Sequence, residues 1–218
     1  MIEIRNQILS TAGALLVFSA LGAALLSGTF ELTRPSIERS EREAKLKLIA
    51  ETLPVGSFDN DLVRDARPLA MDPLLGLKHP GQSYLASHRG QPVAVVLEAA
   101  APDGYAGEIR LLIGILADGR VAGVRVTGHR ETPGLGDYIE IGKSPWIHEF
   151  DGKSLVSPHP VDWKVRKDGG RFDYMAGATI TPRAIVKAVR KALEYFQAHR
   201  DVLLPSPGGG GSKPAEKP

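Results

Sequence analysis

The chain has 218 residues, a length that suits one medium-sized domain with appended segments. Hydrophobic residues make up 43% and charged residues 24%, and the formal net charge is +2, so the composition gives no sign of the clustered basic face that nucleic-acid binding requires. Aromatic residues make up only 6%, which argues against a platform for stacked bases. Cysteine is absent, which excludes disulfides, cysteine nucleophiles and metal or iron–sulfur sites held by thiolates.

An uncharged apolar segment near the N-terminus predicts a membrane anchor. No charged residue lies between Arg5 and Glu31, and residues 8–30 would form a helix about 34 Å long, enough to cross a hydrocarbon core. A secretory signal has a shorter apolar run of about 7–15 residues. We therefore predict an uncleaved transmembrane helix at residues 7–30; the alternative is a buried core helix.

The charges around this segment say little about its orientation. One arginine precedes the segment, and five basic residues follow it: Arg34, Arg39, Arg42, Lys45 and Lys47. Taken alone, the positive-inside rule would keep the C-terminal part in the cytoplasm, but large domains translocate largely regardless of their charge.

A charged helical segment follows the anchor. Pro35 predicts a break, and "SIERSEREAKLKLIAETL" then predicts a second helix that is apolar on one side and ends before Pro54. We interpret residues 34–54 as a helical stalk and residues 55–204 as one domain. The last residues, 205–218, read "PSPGGGGSKPAEKP" and predict a disordered tail.

The middle of the chain predicts a mostly antiparallel sheet. Residues 91–100 favour a strand, and "EIRLLIGILADGRVAGVRVTGH" contains two β-rich runs separated by Asp118 and Gly119. This dipeptide is typical of a type I′ hairpin turn. The first run is apolar for most of its length, as in a strand that is covered on both faces. With flanking helices, the fold class is α+β.

The region after the sheet predicts loops with short elements. Residues 129–160 are rich in Gly, Pro, Asp, His and Ser, and a further hairpin is suggested around Asp168, Gly169 and Gly170. The six histidines show no metal-ligand spacing. We interpret Trp146 and Trp163 as packing residues.

The last predicted element is an amphipathic helix from about Pro182 to His199. Thr181 suits the N-cap, and Pro182 suits the first helical position. The residues of the apolar stripe are Ile185, Val189, Ala192, Leu193 and Phe196.

The segment "DYMAGAT" directly precedes this helix. Gly177 and Ala178 leave Thr179 uncrowded, so that a large reagent could reach its hydroxyl. The N–H groups and the positive dipole end of the helix point at this turn and would favour a phosphate on Thr179. The residues alone permit either a phosphate site or a plain helix cap.

The same segment resembles the recognition motif of flavin transferases, which couple FMN through its phosphate to a threonine. The matching positions are Asp173, Gly177, Ala178 and Thr179. Ala176 departs from the usual Ser or Thr. The resemblance implies covalent FMN on Thr179, with Thr181 as the competing acceptor. For Asp173 it implies a role in recognition by the transferase; otherwise Asp173 is a plain turn aspartate.

A second block resembles the FMN-binding domain of the G-type member of Rnf electron-transport complexes, and more distantly the C-type member of the sodium-translocating NADH:quinone reductase. It consists of "GYAGEIRLLIGI", "DGRVAGVRV" and "HRETPGLGDYI". The resemblance runs from the anchor to the last helix. It implies an electron-transfer subunit rather than a stand-alone enzyme, which relays electrons between ferredoxin and NAD in an ion-translocating complex.

The family resemblance also implies partners and a location. The partners are the other subunits of the complex and a flavin transferase. The location is the bacterial inner membrane, with a single span and the domain on the periplasmic side. Two alternatives stay open: a flavoprotein like the C-type member of the quinone reductase, and a non-redox membrane-anchored binding or scaffold module.

The loop "HRETPGLGDY" is expected to contact the flavin. Pro133 and Leu135 would offer apolar contact, and the glycines would bring backbone N–H groups close to the ring. Hydrogen bonds to the ring edge or the ribityl chain are expected from Glu131 and Thr132. The expected contacts in this loop are therefore Glu131, Thr132, Gly134 and Leu135; the alternative is a simple turn.

Overall fold

The computed structural model of the protein describes residues 2–205, apart from the side chains at positions 2, 3, 5, 8, 10, 38 and 41. The predicted tail at 205–218 lies outside the described residues except for its first position.

The main elements are α1 (Ile2–Ala50), β1 (Ala66–Leu69), β2 (Gly81–His88), β3 (Gln91–Gly104), β4 (Gly107–Leu116), β5 (Val121–Gly128), α2 (Ile180–Ala198) and α3 (Arg200–Leu203). Internal contacts divide the chain into two compact units, with the boundary after Lys45.

Helix α1 continues through Pro35, so the predicted break at this residue is wrong. A proline inside a helix removes one hydrogen bond and bends the axis, but good helix formers on both sides can continue the helix. Such residues flank Pro35, in "FELTR" before it and "SIERSEREAKLK" after it. Within α1, the segment Thr11–Ala50 is by length and composition long and apolar enough to cross a membrane.

The five strands form one antiparallel sheet in the order β1-β2-β3-β4-β5, which confirms the α+β class with a mostly antiparallel sheet.

The predicted β4–β5 hairpin is present, but its predicted turn type is wrong. Of the dipeptide only Gly119 has a positive φ, +86°, and the Gly119 N–H donates to the Leu116 carbonyl. A hairpin turn that is followed by a glycine with a positive φ is typical of a three-residue loop with a glycine bulge. The type I′ turn instead joins β2 to β3 at Arg89 and Gly90, with φ of 51° and 74°.

Both faces of the sheet are covered, as the apolar sequence of β4 predicted. Helix α2 packs on one face, and its predicted apolar stripe is buried. On the other face, Leu112 of β4 packs in a cluster with Ile49 and Leu53 from the end of α1 and the turn after it.

A notch formed by two glycines receives the chain just after α1. Gly114 and Gly123 are opposite each other on β4 and β5. A Cβ atom on Gly114 would lie 2.5 Å from the Thr52 carbonyl oxygen, and one on Gly123 would lie 3.0 Å from the same atom. Thr52 is buried against them. Side chains at either position would therefore displace Thr52.

The connection from β5 to α2 is irregular, with short 3₁₀ helices at Asp137–Ile139, Pro145–Phe150, Pro160–Asp162 and Arg166–Asp168, as predicted for its first part. The hairpin predicted around Gly169 is wrong. A single bridge joins Val165 to Phe172, and Gly170 lies against the Lys164 backbone, where a Cβ atom would clash. Trp146 and Trp163 are buried in an aromatic cluster with Phe150 and Phe172, which confirms them as packing residues.

Candidate functional site

A tight turn at residues 175–178 leads the chain into α2. The Ala178 N–H donates to the Met175 carbonyl oxygen at 3.0 Å, and Gly177, the third residue of the turn, has φ +88°. A positive φ at the third position is typical of a type II turn and favours glycine. The turn therefore requires the glycine of the "AGAT" motif and places Thr179 at the start of the helix.

Thr179 occupies the N-cap position of α2, but its side chain makes no capping hydrogen bond. The prediction that Thr181 caps the helix is wrong, because α2 begins at Ile180 and Thr181 lies inside its first turn. Pro182 is the third helical residue, where its missing N–H costs no helical hydrogen bond. Thr179 is 9% exposed and lines a cavity, so it is less open than the sequence suggested and is reached through that cavity.

The Glu131 carboxylate joins three parts of the chain. Glu131 is only 4% exposed. Its Oε1 accepts the Ala106 N–H at 3.0 Å, and its Oε2 accepts the Thr181 hydroxyl at 2.5 Å. A buried carboxylate needs such partners. Glu131 was predicted to bond the flavin, yet both of its oxygens already hold the β3–β4 tip and the first turn of α2.

The loop at residues 132–137 is closed by its own backbone. The Thr132 carbonyl oxygen accepts the N–H groups of Leu135 at 3.1 Å and Gly136 at 2.9 Å. The Gly134 N–H donates to Asp137 Oδ1 at 2.9 Å. The N–H groups of Gly134 and Gly136, expected to approach the flavin ring, are therefore engaged within the loop.

Asp137 anchors this loop through its charge. Its Oδ2 lies 2.5 Å from Lys143 Nζ. The Lys143 ammonium, followed by the Gly134 N–H, holds the pKa of Asp137 below its usual range. Glu140 extends the network, because its Oε1 lies 2.9 Å from His129 Nε2. This hydrogen bond is the main reason that the pKa of Glu140 is also lowered.

One cavity brings together most of the residues that the sequence predicted for flavin binding. Its volume is about 160 Å³. The predicted residues that line it are Glu131, Thr132, Leu135, Gly177, Ala178, Thr179 and Thr181, and the further ones are Tyr105, Gly136 and Ile180. Ligand pockets usually have about 300–1,000 Å³. This cavity is therefore smaller than most pockets that enclose a whole ligand.

Two predicted residues, Gly134 and Asp173, do not line this cavity. The Asp173 carboxylate pairs with Arg166 Nε at 2.8 Å and lines a separate polar groove of about 710 Å³. In that groove burial raises the pKa of Glu149, whose carboxylate accepts the Asp173 N–H at 2.8 Å. Within residues 2–205, no group of three or more His, Asp or Glu side chains is placed to hold a metal ion.

Sequence reasoning assigned no role to Tyr105, although it lines the cavity. Tyr105 belongs to the segment "GYAGEIRLLIGI", which carries part of the family resemblance, and it lies between two glycines, a pattern that is typical of a hairpin tip.

Two family models match this chain. Residues 104–194 match the family model described as FMN-binding domain, and residues 1–52 match the model described as RnfG N-terminal region. A relative from Pseudomonas aeruginosa (strain UCBPP-PA14), named as the G-type member of an ion-translocating oxidoreductase complex, is 50% identical over 200 residues, which cover 92% of this chain and 94% of the relative. The chain belongs to the RnfG family.

Other RnfG-family relatives carry the same name. One from Vibrio cholerae (strain O395) is 45% identical over 88% of this chain and 92% of its own length. One from Shewanella baltica (strain OS223) is 39% identical over 93% of this chain and 96% of its own length. The RnfG assignment confirms the resemblance seen in the sequence. The FMN-binding match includes the β3–β4 tip, the Glu131 loop and Thr179, so the cavity lies within the part of the chain that identifies FMN as the cofactor.

Proposed function

We propose that this chain is the flavin-carrying electron-transfer subunit of an ion-translocating oxidoreductase complex, and that FMN is joined to Thr179 by a phosphoester bond. The observation that carries the proposal is the Thr179 hydroxyl, which lines the cavity at the start of α2 and makes no capping hydrogen bond. The FMN-binding match and the names of the relatives support the cofactor and the complex.

The surroundings of Thr179 suit a phosphate. The N–H groups at the start of a helix have no helical acceptors and form its positive end, which favours an anion. Arg183 donates its N–H to the Thr179 carbonyl oxygen at 3.4 Å, but for Ile180 and Thr181 no backbone acceptor is found in the described chain. A phosphate on Thr179 would lie next to these two N–H groups.

Thr181 is the weaker acceptor of the two. It is 1% exposed, and its hydroxyl donates a hydrogen bond to Glu131 Oε2. Modification of Thr181 would break that hydrogen bond and leave a buried carboxylate oxygen without a partner. The Thr179 hydroxyl makes no capping hydrogen bond that its modification would break.

The linkage is a substitution at phosphorus that a flavin transferase would catalyse. Thr179 Oγ1 loses its proton and bonds to the phosphorus of FMN, supplied as a phosphoanhydride, whose other half leaves with the electron pair. When bound, FMN supplies one-electron redox chemistry. The chain contributes tethering and orientation, and we assign no catalytic side chain to it.

The family assignment supports a proposal for the placement of the chain in the cell. We propose that α1 anchors the chain in the bacterial inner membrane with the domain on the periplasmic side, and that electrons pass between ferredoxin and NAD through the other subunits. The RnfG N-terminal match favours this assignment over a flavoprotein of the quinone-reductase type.

The attachment is tested on the full chain co-produced with a flavin transferase. We expect flavin fluorescence on a denaturing gel and a mass increase on the peptide that contains Thr179. Thr179→Ala should abolish both, whereas Thr127→Ala, a change at an exposed threonine of β5, should keep both. Retained fluorescence in Thr179→Ala would refute the attachment, and a colourless wild-type chain would favour the scaffold alternative.

The orientation is tested with a single introduced thiol, because the chain has no cysteine. Val156 is highly exposed, so Val156→Cys gives a reachable label site in the domain. A membrane-impermeant maleimide should label it in intact spheroplasts if the domain is periplasmic. Labelling only after lysis would place the domain in the cytoplasm.

A further inference from the structure

Tyr105 is the most exposed tyrosine of the described chain. Its side chain is at the tip of the β3–β4 hairpin and is 68% exposed. Tyr84, Tyr138 and Tyr195 are buried, and Tyr174 is about half as exposed as Tyr105. No aromatic ring of residues 2–205 packs against Tyr105, although the other large aromatic residues near the site belong to the core. An apolar ring is thus presented to solvent beside the cavity.

The backbone that carries Tyr105 is fixed on both sides. Gly104 pairs with Gly107, and a Cβ atom on Gly104 would clash with the Gly107 carbonyl oxygen. The Ala106 N–H donates to Glu131 Oε1 at 3.0 Å. Because Glu131 also holds Thr181, the hairpin tip is fixed relative to the first turn of α2. An exposed ring on a fixed base is suited to contact a ligand.

Two further apolar side chains share the mouth of the cavity with Tyr105. Leu135 is 39% exposed and Ile180 is 45% exposed, and both line the same cavity as Thr179. The cavity, at about 160 Å³, is small for a flavin ring system. The ring of an FMN tethered at Thr179 would therefore lie at the mouth, beside Tyr105, Leu135 and Ile180.

We propose that Tyr105 is a positioning residue for the flavin: its ring packs against the isoalloxazine ring of the FMN that Thr179 carries. This inference rests on the proposed function. Aromatic rings gain from offset or edge contacts in addition to the burial of their area. The contact would hold the tethered ring in one orientation and shield part of it from water. Tyr105 takes no part in proton or electron transfer in this proposal.

The test uses the full chain, loaded by a co-produced flavin transferase, with loading measured from the mass of the Thr179 peptide. Tyr105→Leu removes the aromatic ring, and Tyr105→Phe keeps it. Val161→Ala is the control, since Val161 is similarly exposed but neither lines the cavity nor belongs to the motif around Thr179. Two signals are compared at equal loading: flavin fluorescence and circular dichroism in the visible region, which reports a ring held in asymmetric surroundings.

We expect Tyr105→Leu to raise flavin fluorescence and to lose most of the visible circular dichroism, because the aromatic contact that holds the flavin ring is removed. Tyr105→Phe should keep the circular dichroism, and Val161→Ala should match the wild type in both signals. Unchanged signals in Tyr105→Leu with FMN present on Thr179 would overturn this inference alone, as would equal changes in Val161→Ala. A wild-type chain without FMN on Thr179 would overturn the proposed function as well.

Discussion

The Thr181 hydroxyl donates a hydrogen bond to Glu131 Oε2 at 2.5 Å, and both side chains are almost fully buried. A short hydrogen bond from a hydroxyl to a carboxylate is among the stronger kinds in proteins. It joins residues fifty positions apart in the sequence and fixes the start of α2 against the loop. The neighbouring Thr179 takes no part in it. Of the two threonines of the motif, only Thr181 therefore has this structural role.

Thr181→Val should destabilise the fold, whereas Thr179→Val should not. The first change leaves Glu131 Oε2 buried without a partner, which costs about 1–3 kcal/mol. The second removes a hydroxyl that makes no capping bond, so we expect a change within about 0.5 kcal/mol. The measurement is urea unfolding of the full chain in detergent, followed by tryptophan emission, because both tryptophans lie in the core. Equal losses in the two variants would show that the Glu131 bond is not the reason.

Gly136→Ala should also destabilise the fold, because it disturbs the hydrogen-bonded pair of Glu131 and Thr181. A Cβ atom at Gly136 would lie 3.0 Å from Glu131 Cβ and Oε2 and 3.4 Å from the Thr181 hydroxyl. Overpacking of this kind costs about 1–3 kcal/mol. Gly142→Ala is the control, since its Cβ would meet no atom within 4 Å. The same unfolding measurement applies, and a loss in the control as large as in Gly136→Ala would contradict the steric explanation.

Gly114→Ala should destabilise the fold more than Gly123→Ala. The new Cβ would lie 2.5 Å from the Thr52 carbonyl oxygen in the first case and 3.0 Å in the second. We expect a loss of about 1–3 kcal/mol for Gly114→Ala and a smaller loss for Gly123→Ala. Thermal unfolding of the two variants gives the order, and the reverse order would exclude the Thr52 contact as its cause.

The ion pair of Asp137 and Lys143 predicts a dependence of stability on pH. Because the pKa of Asp137 is lowered in the folded chain, its contribution is complete above the ordinary aspartate pKa and is lost as the pH falls through the folded value. The difference in melting temperature between the wild type and Asp137→Asn should thus shrink between about pH 6 and about pH 3.

The control for this dependence is Lys143→Met, in which the main cause of the lowered pKa is removed. In that background Asp137→Asn should show a weaker pH dependence. A wild-type advantage that grows as the pH falls would contradict the sign of the effect.

Strands β3 to β5 and helix α2 could be predicted because each has a clear local pattern, whereas β1 and β2 were not predicted. The stripe that includes Ile185 and Val189 has the period of a helix, and the apolar run of β4 fits a strand buried on both faces. Turn types were harder. Arg89 occupies a left-handed position that arginine seldom takes, so the type I′ turn of the sheet had no sequence signal. Pro35 favours a break in the helix, but the good helix formers around it allow α1 to continue.

The site was predictable only where a short motif specifies it. The segment before α2 identified Thr179 and the glycine turn from adjacent residues alone. The roles of Glu131 and Tyr105 depend on contacts between the β3–β4 tip, the loop and the helix, which are distant in the sequence. Local patterns carry no information on such pairings, so the internal hydrogen bonds of Glu131 were not predicted, and its contact with the flavin stays a prediction.

The two-glycine notch has a practical consequence for anyone who wants the domain without its membrane helix. Ile49 and Leu53 are core residues, and Thr52 fills the notch. A soluble fragment that starts at residue 55 would lose all three and expose Leu112 of the sheet to water. A fragment that starts at Leu46, the first residue of the compact unit, would keep them and give a better-behaved protein for spectroscopy.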